Sequence, residues 1–380
     1  MKILYDHQIF TRQDYGGISR YFCEIMDQFS DDQEIDFNLA LRYSQNENLH
    51  RHPQLNRFWT QRNDYFSDSK LFAGLQKKIH INALNHIFDN QHESIKRLNE
   101  QDFDVFHPTY YNPYFLKYLK TKKYVLSVYD MIHELFPGMF PEDGTAMLKK
   151  KVIECATKII AISDNTKTDI INIYNIDPQK IEVIPLASSL QINTSDIILN
   201  LPQKYILFVG HRVANKNFTF FINSISSFLY EEKDLYVICA GSEVFSENEI
   251  HLLNKLKIEK QVIYYPIIND STLSYIYRNA VLFVFPSLYE GFGIPVLEAF
   301  SCGCPVAASN CSSLPEVGGD AANYFDPKNS DSIQKVVEDI VHNGSLQDSL
   351  RARGYERLKL FSWKKTALKT KKVYDSLLSQ

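Results

Sequence analysis

The sequence has no long hydrophobic run and no excess of positive charge, and each absence excludes a class of function. No stretch approaches the ~20 apolar residues of a membrane-spanning helix. The net charge is −4, with 41 Lys and Arg against 45 Asp and Glu, so no basic field favours nucleic-acid binding. The short apolar run within Met1–Asp6 indicates a buried strand rather than a secretion signal. These features predict a cytoplasmic protein with no nucleic-acid partner.

Cysteine is scarce and scattered. The chain has 6, and most lie in apolar contexts such as Cys23, Cys155 and Cys239. This pattern predicts reduced, buried thiols rather than a disulfide framework. The one close pair, Cys302 and Cys304, has no second pair or flanking histidine, so no metal or redox role is expected for it.

Short apolar strands alternate with helical stretches, a pattern typical of parallel sheets covered by helices. The predicted strands are Lys2–Tyr5, Phe37–Leu41, Val105–His107, Tyr124–Tyr129, Lys158–Ile162, Ile181–Ile184, Tyr205–Val209, Leu235–Ala240, Val262–Tyr264, Leu282–Phe285, Pro305–Ala308 and Asn323–Phe325. The predicted helices are Ile18–Phe29, Lys70–Asn99, Phe218–Glu231, Glu247–Lys257, Thr272–Arg278 and Ser332–Asn343. The turn-rich stretch Leu186–Gln203 separates two α/β halves, and we place the boundary near Asp196.

The segment Glu290–Glu298 follows a predicted strand and is the first candidate for a ligand site. Gly291 and Gly293 let its backbone approach a ligand closely, and Pro295 suits the first turn of a helix. Free N–H groups at a helix start bind anions, and carboxylates accept hydrogen bonds from sugar or ribose hydroxyls. The alternative is a plain strand–turn–helix connection in which Glu298 only favours the helix dipole.

Two other loops follow predicted strands and precede helices. Arg212 and Lys216 lie in Gly210–Asn217, where two cations beside a helix N-terminus suit a diphosphate; the alternative is a pair of solvated loop cations. Gly16 and Gly17 open the first predicted helix without the full G-x-G-x-x-G spacing. They permit close approach to a phosphate or sugar, or simply form a tight β–α turn.

Polar residues also follow strands at other positions. In the first half, His107, Asp130 and the pair His133–Glu134 are expected to meet an acceptor or the transferring sugar, or to be structural. In the second half, polar residues follow the predicted strand Pro305–Ala308, namely Ser312, Ser313 and Glu316. They are expected to contact a phosphate or base, or to cap a helix starting near Leu314.

These motifs resemble those of glycosyltransferase family 4, whose members are retaining enzymes of GT-B architecture. The resemblance lies in Pro286–Val306, Ser313–Val317, Gly319–Pro327, Gly210–Phe218, Gly16–Arg20 and Asp130–Glu134. It implies an α/β fold of two doubly wound Rossmann-like domains facing across a cleft, with the last helix, Lys365–Leu378, returning to the first domain. The acceptor-side domain would comprise residues 1–195 plus 363–380, and the nucleotide-sugar donor-binding domain residues 196–362.

The resemblance also implies a role for each matching residue. The candidate catalytic residues are Glu290, which contacts the donor sugar near the reacting carbon, and Asp130 and His133 on the acceptor side. The candidate donor-binding residues are Gly17, Arg212, Lys216, Phe292, Gly293, Ile294 and Glu298; the two cations neutralise the leaving diphosphate, and Glu298 holds the ribose. Many members carry a histidine before the Asp130 position, where this chain has Tyr129, so the acid/base helper is undefined.

The resulting expectation is a retaining glycosyltransferase that uses no metal and no other cofactor. It moves a hexosyl group from a nucleotide-diphosphate sugar, GDP-mannose favoured over a UDP-sugar, to a glycan or lipid-linked glycan acceptor in bacterial O-antigen or capsule synthesis. The alternatives are a non-catalytic sugar-nucleotide-binding subunit of a glycan-assembly complex and a sugar-nucleotide epimerase. The basic patches Lys117–Lys123 and Lys149–Lys151 predict peripheral contact with the inner membrane face, or else solvated helix faces.

Overall fold

A computed structural model of the chain describes residues 1–61, 76–140, 144–190, 192, 199–241, 243–267 and 269–378. The chain divides into two compact units. The first comprises Met1–Ile162, Thr166–Ile184 and Trp363–Gln380, and the second comprises Ser163–Asn165 and Pro185–Ser362. The boundary predicted at residue 196 lies outside the described residues.

A six-stranded parallel sheet forms the centre of the first unit, with strand order β2-β1-β5-β6-β7-β8. Its strands are β1 (Lys2–Asp6), β2 (Asp36–Ala40), β5 (Val105–His107), β6 (Lys123–Val128), β7 (Lys158–Ala161) and β8 (Ile181–Val183), while β3 (Tyr43–Ser44) and β4 (Thr60–Gln61) form a separate pair. The helices along this part of the chain are α1 (Gln8–Arg12), α2 (Gly17–Ser30), α3 (Glu47–His50), α4 (Gln76–Glu100), α5 (Ile132–Leu135), α6 (Thr145–Cys155) and α7 (Asp164–Tyr174).

A second six-stranded parallel sheet, ordered β11-β10-β9-β12-β13-β14, forms the centre of the second unit. Its strands are β9 (Tyr205–Val209), β10 (Tyr236–Gly241), β11 (Val262–Pro266), β12 (Leu282–Phe285), β13 (Val306–Ser309) and β14 (Ala322–Phe325). The helices are α8 (Phe218–Glu231), α9 (Glu247–Leu256), α10 (Asp270–Asn279), α11 (Ile294–Ser301), α12 (Leu314–Gly318), α13 (Ser330–Val341) and α14 (Gly344–Leu358). Both β9 and β12 are buried along their whole length, as expected of strands in a sheet covered on both faces.

The structure confirms the predicted strands and extends the list of helices. Among the described helices, α1, α3, α5, α6, α7 and α14 were not predicted. In α14 only Leu350 and Gly354 are buried, so its sequence lacks a clear apolar stripe. The predicted helix from Lys70 begins in the structure at Gln76, and its first predicted residues lie outside the described part. Cys155, predicted to be buried, is exposed at the end of α6.

The final helix, α15 (Trp363–Leu378), belongs to the first unit, as the family resemblance implies. Its Tyr374 hydroxyl lies 2.7 Å from His107 Nδ1 and 3.0 Å from the Tyr5 hydroxyl. On the other side of the imidazole, Ser127 Oγ lies 3.0 Å from Nε2 and 2.8 Å from the Tyr21 hydroxyl. This buried row ties α15 to the centre of the sheet. Burial lowers the pKa of His107 to about 3, so the histidine is neutral and structural.

Candidate functional site

The segment from Glu290 to Gly293 connects β12 to α11 in a conformation that only glycine adopts readily. Gly293 has a φ of +106°, and a Cβ placed there would lie 2.8 Å from Leu314 Cδ2. Pro295 follows in the first turn of α11, where its missing N–H costs no helical bond. The helix ends before Gly303, whose φ of +66° lies in the left-handed region that glycine favours just after a helix.

Replacing Gly293 with alanine is expected to lower the free energy of unfolding by about 1–3 kcal/mol. Alanine would have to adopt a positive φ there, and its Cβ would lie too close to the Leu314 side chain. Thermal denaturation followed by circular dichroism measures the effect. Gly344→Ala is the matched control, since a Cβ at Gly344 meets nothing within 4 Å. Equal midpoints for the two variants would contradict the strain at Gly293.

Two serines hold the Glu290 loop in place. The Glu290 N–H donates to Ser312 Oγ at 3.0 Å. The Ser313 hydroxyl is within hydrogen-bonding distance of two carbonyl oxygens, that of Glu290 at 2.9 Å and that of Phe292 at 2.8 Å. Ser313 precedes α12 but makes no side-chain capping bond. In the structure these serines position the loop, a role that the sequence did not predict.

The loop Gly210–Asn217 is joined to the Glu290 loop by hydrogen bonds from both backbone and side chain. The Leu288 N–H donates to the Asn215 carbonyl at 2.7 Å, and the buried Asn215 side chain reaches the Tyr289 carbonyl at 3.5 Å. Asn217 ends the loop in the left-handed region, with a φ of +58°, and donates to the Pro327 carbonyl. The second unit therefore presents both predicted ligand loops side by side.

Lys216 and Glu290 form an ion pair within this paired-loop site. Lys216 Nζ lies 2.6 Å from Glu290 Oε1, and the two side chains are 21% and 14% exposed. The ammonium also lies 5.0 Å from the centre of the Phe285 ring. Partial burial strengthens such a pair relative to one in water. The structure therefore brings together a predicted phosphate-binding cation and the predicted sugar-binding carboxylate.

Arg212 makes different contacts. Its Nε donates to Glu249 Oε1 at 2.6 Å, and Nη2 donates to the Glu243 and Val244 carbonyls at 3.0 and 2.7 Å. The side chain is 5% exposed, and its guanidinium lies 4.7 Å from the centre of the Phe245 ring. The structure thus holds Arg212 against Glu249 rather than against Glu290.

Glu249 was not among the predicted site residues. Burial favours its neutral form, but hydrogen bonds from Arg212 and from the N–H and hydroxyl of Ser246 bring the pKa of Glu249 below its ordinary value. Ser246 and Glu249 form a capping box at the start of α9. The S-x-x-E spacing is visible in the sequence and predicts the cap, but it gives no signal for the pairing with Arg212.

The remaining donor-side predictions lie on or next to α11. Glu298 is 7% exposed, and its Oε2 accepts a hydrogen bond from the Tyr277 hydroxyl at 3.3 Å. Burial, and then the charge of Glu298, raise the pKa of Tyr277 well above its ordinary value. Phe292 is buried with its ring edge-on to Phe361, whereas Ile294 is half-buried at the first position of the helix.

In the first unit, Gly17 is exposed and begins α2, as predicted for the paired-glycine turn. The Gly16 carbonyl accepts hydrogen bonds from the Arg20 N–H at 3.1 Å, from the Ser19 hydroxyl at 3.0 Å and from Asn48 Nδ2 at 3.1 Å. These bonds fix the turn and leave Gly17 at the surface.

Asp130 and His133 lie close together beyond the end of β6. The Asp130 carboxylate accepts the Ile132 N–H at 3.1 Å, and its Oδ1 lies 3.9 Å from His133 Nδ1. Tyr129, the residue that departs from the family pattern, is buried. Its hydroxyl is buried and has no hydrogen-bond partner among the described residues.

The prediction that Lys149–Lys151 forms a basic surface patch is wrong for Lys149. This side chain is fully buried and donates to the Asp130 carbonyl and to Glu134 Oε2, both at 2.9 Å. Lys150 and Lys151 are exposed. The helix α6 turns one lysine inward and its neighbours outward.

Within the described ranges, no three or more His, Cys, Asp or Glu side chains are grouped so that they could hold a metal ion. No described helix combines the length and the apolar character needed to cross a membrane.

The sequence of the chain matches two known protein families. Residues 15–188 match Glycosyltransferase Family 4, and residues 192–357 match Glycosyl transferases group 1. The chain therefore belongs to the glycosyltransferases, with a family 4 first half and a group 1 second half, and it is a transferase enzyme.

Similar proteins agree with this assignment. The chain is 29% identical to "O-antigen chain mannosyltransferase B" of Escherichia coli over 296 residues, which span 73% of this chain and 75% of that protein. Sucrose-phosphate synthase of Thermosynechococcus elongatus aligns with a TM-score of 0.74 at 17% identity, over 100% of this chain and 99% of that one. Anabaena HepE, solved with UDP and glucose, aligns with a TM-score of 0.66 at 16% identity, over 99% and 100%. The structural likeness shows the GT-B fold.

Proposed function

We propose that the chain is a retaining glycosyltransferase that moves a hexosyl group from a nucleotide-diphosphate sugar to a glycan acceptor. The observation that carries the proposal is the Lys216–Glu290 pair at 2.6 Å, held beside the start of α11. A cation there can stabilise a leaving diphosphate, and a carboxylate can accept hydrogen bonds from sugar hydroxyls.

Each donor-side residue has a proposed task. Lys216 stabilises the negative charge that develops on the departing diphosphate, together with the N–H groups in the first turn of α11. Glu290 orients the sugar, and Glu298 accepts hydrogen bonds from the ribose. Arg212 either turns from Glu249 to the phosphates when the donor binds or supports its loop through that ion pair. These protein cations take the place of a metal, so we propose a metal-independent reaction.

On the acceptor side, Gly17 approaches the donor phosphates, and Asp130 and His133 orient the attacking hydroxyl. In a retaining transfer the hydroxyl attacks from the face that the diphosphate leaves, and a phosphate oxygen takes its proton. Tyr129 occupies the position before Asp130, and because its hydroxyl is buried we assign it no contact with the transferring sugar.

The similarity to an O-antigen mannosyltransferase favours GDP-mannose as the donor and a lipid-linked glycan as the acceptor. The UDP bound to HepE supports a UDP-sugar as the second choice. We place the reaction at the cytoplasmic face of the membrane, where the exposed Lys117 and Lys120 meet anionic lipid. Lys149 has no part in this contact, because it is buried.

The test is a thermal-shift screen of the full chain against GDP, UDP, dTDP and CMP. A nucleotide at about 100 times its dissociation constant stabilises the native state by about 2.7 kcal/mol. GDP is expected to raise the melting temperature most. If UDP raised the melting temperature most, the donor would be assigned as a UDP-sugar instead of GDP-mannose. If no nucleotide raised the melting temperature, the donor site itself would be contradicted.

Product analysis then distinguishes the proposal from its alternatives. With GDP-mannose and a lipid-linked oligosaccharide, in buffer containing a chelator, we expect transfer by the purified chain alone. A new nucleotide sugar formed without acceptor would identify an epimerase. Nucleotide binding without any turnover would identify a non-catalytic subunit.

A further inference from the structure

Lys149 has contacts that an ordinary helix lysine does not make. It lies in α6 with no exposed surface, whereas its neighbour Lys150 is 55% exposed and pairs with Glu154 one turn away. A buried ammonium is costly unless it is paired and hydrogen-bonded, so its surroundings should satisfy it.

Three oxygen atoms surround the ammonium. Lys149 Nζ lies 2.9 Å from the Asp130 carbonyl, 2.9 Å from Glu134 Oε2 and 3.5 Å from Asp130 Oδ1. The Tyr111 ring lies behind it, 5.3 Å from ring centre to nitrogen. One side chain of α6 thus contacts both ends of the segment Asp130–Glu134, which also carries His133.

The rest of the segment is tied to its surroundings by further bonds. Glu134 is 5% exposed, and its other oxygen accepts the Tyr174 hydroxyl from α7 at 2.8 Å. The Tyr129 N–H donates to the Tyr111 hydroxyl at 3.1 Å. Asp130 is 31% exposed, so it faces solvent while the lysine lies beneath it. A substrate would therefore touch Asp130 and not Lys149.

We propose that Lys149 is the positioning residue of the acceptor-side segment Asp130–Glu134. Its ammonium fixes the Asp130 backbone and the Glu134 carboxylate, and through them it sets where the Asp130 carboxylate and the His133 ring lie. The proposal rests on the proposed function, because it assigns these side chains to the acceptor hydroxyl. A shift of about 1 Å in such groups can cost on the order of 100-fold in rate.

The first test compares Lys149→Met with Lys150→Met, which removes an exposed charge from the same helix. We expect Lys149→Met to lower kcat for sugar transfer roughly 10- to 100-fold while the donor KM changes less than about twofold, because the donor loops lie in the second unit. Lys150→Met should retain wild-type kcat. Lys149→Arg, which keeps the charge, should recover part of the loss.

A second test separates positioning from folding. Lys149→Met leaves the Glu134 carboxylate buried without its cation and should lower the melting temperature. Adding Glu134→Gln removes that charge and should restore the melting temperature but not kcat. If the double variant regained wild-type kcat, or if Lys149→Met never lost it, the positioning role would be overturned.

Hydrogen exchange gives a readout that does not depend on turnover. Amides of residues 130–135 should exchange faster in Lys149→Met than in Lys150→Met. If the wild-type chain transfers no sugar, the proposed function fails, and equal exchange in the two variants would separately overturn the positioning of the segment by Lys149.

Discussion

Replacing Lys216 with methionine is expected to lower the rate of sugar transfer by about 10²–10³-fold, the cost of removing one electrostatic group from the leaving-group site. Methionine keeps much of the side-chain length but removes the ammonium that lies 2.6 Å from Glu290 Oε1. The diphosphate then departs without its cation, and Glu290 loses the partner that holds it. Steady-state kinetics with saturating donor measures the loss in kcat, and a thermal shift with the nucleotide measures the loss in binding.

The control is Lys335→Met, which breaks the exposed Lys335–Asp339 pair at 2.9 Å in the same unit. Exposed pairs of this kind contribute little, so its kcat should equal the wild-type value. Adding Glu290→Gln to Lys216→Met tests their coupling, since groups that act as one unit give non-additive losses. Wild-type turnover by Lys216→Met would remove the leaving-group assignment.

Acidification is expected to destabilise the first unit through His107. Burial lowers the pKa of this histidine from 6.5 to about 3. As the pH falls below 6.5, the unfolded chain takes up a proton that the native imidazole does not, so acid favours unfolding. The loss from this group approaches about 1.4 kcal/mol for each pH unit below 6.5, until native His107 itself protonates near pH 3.

Tryptophan fluorescence reports this transition selectively, because the chain has 2 tryptophans, Trp59 and Trp363, and both belong to the first unit. Urea titrations at pH 7 and pH 4.5 give the change in unfolding free energy. The variant His107→Gln should be less stable at pH 7 but should show a shallower dependence on pH. His92→Gln, at an exposed position of α4, should keep the wild-type slope. Equal slopes in all three proteins would show that His107 contributes nothing.

Much of the fold could be predicted because parallel strands buried on both faces leave a simple pattern. The prediction Tyr205–Val209 matches β9 residue for residue, and every residue of that strand is buried. Helices with an apolar stripe, such as α13, were also found. By contrast, α6 carries three consecutive lysines, and the sequence alone predicts that all three are exposed.

The candidate site divides in the same way. Part of the backbone could be predicted, since Gly293 was expected to give its loop unusual freedom and has a positive φ that favours glycine. The partners of charged side chains could not, because an ion pair depends on which distant segments the fold brings together. Arg212 meets Glu249, 37 residues away, and Lys216 meets Glu290, 74 residues away. No local spacing encodes either pairing.

The buried row that joins Tyr5, Tyr374, His107, Ser127 and Tyr21 also has a polarity. A neutral imidazole donates from one nitrogen and accepts at the other, so the tautomer of His107 decides which hydroxyl gives and which receives. If Nε2 carries the proton, it donates a hydrogen bond to Ser127 Oγ, and the Tyr374 hydroxyl donates a hydrogen bond to Nδ1. The Tyr5 hydroxyl then donates to Tyr374 and the Ser127 hydroxyl donates to Tyr21, so all the hydrogen bonds along the row run in the same direction. The position of one proton on His107 therefore fixes which hydroxyl donates in each hydrogen bond of the row, from β1 to α15. Nitrogen NMR of His107 would identify the tautomer and hence the direction of these hydrogen bonds.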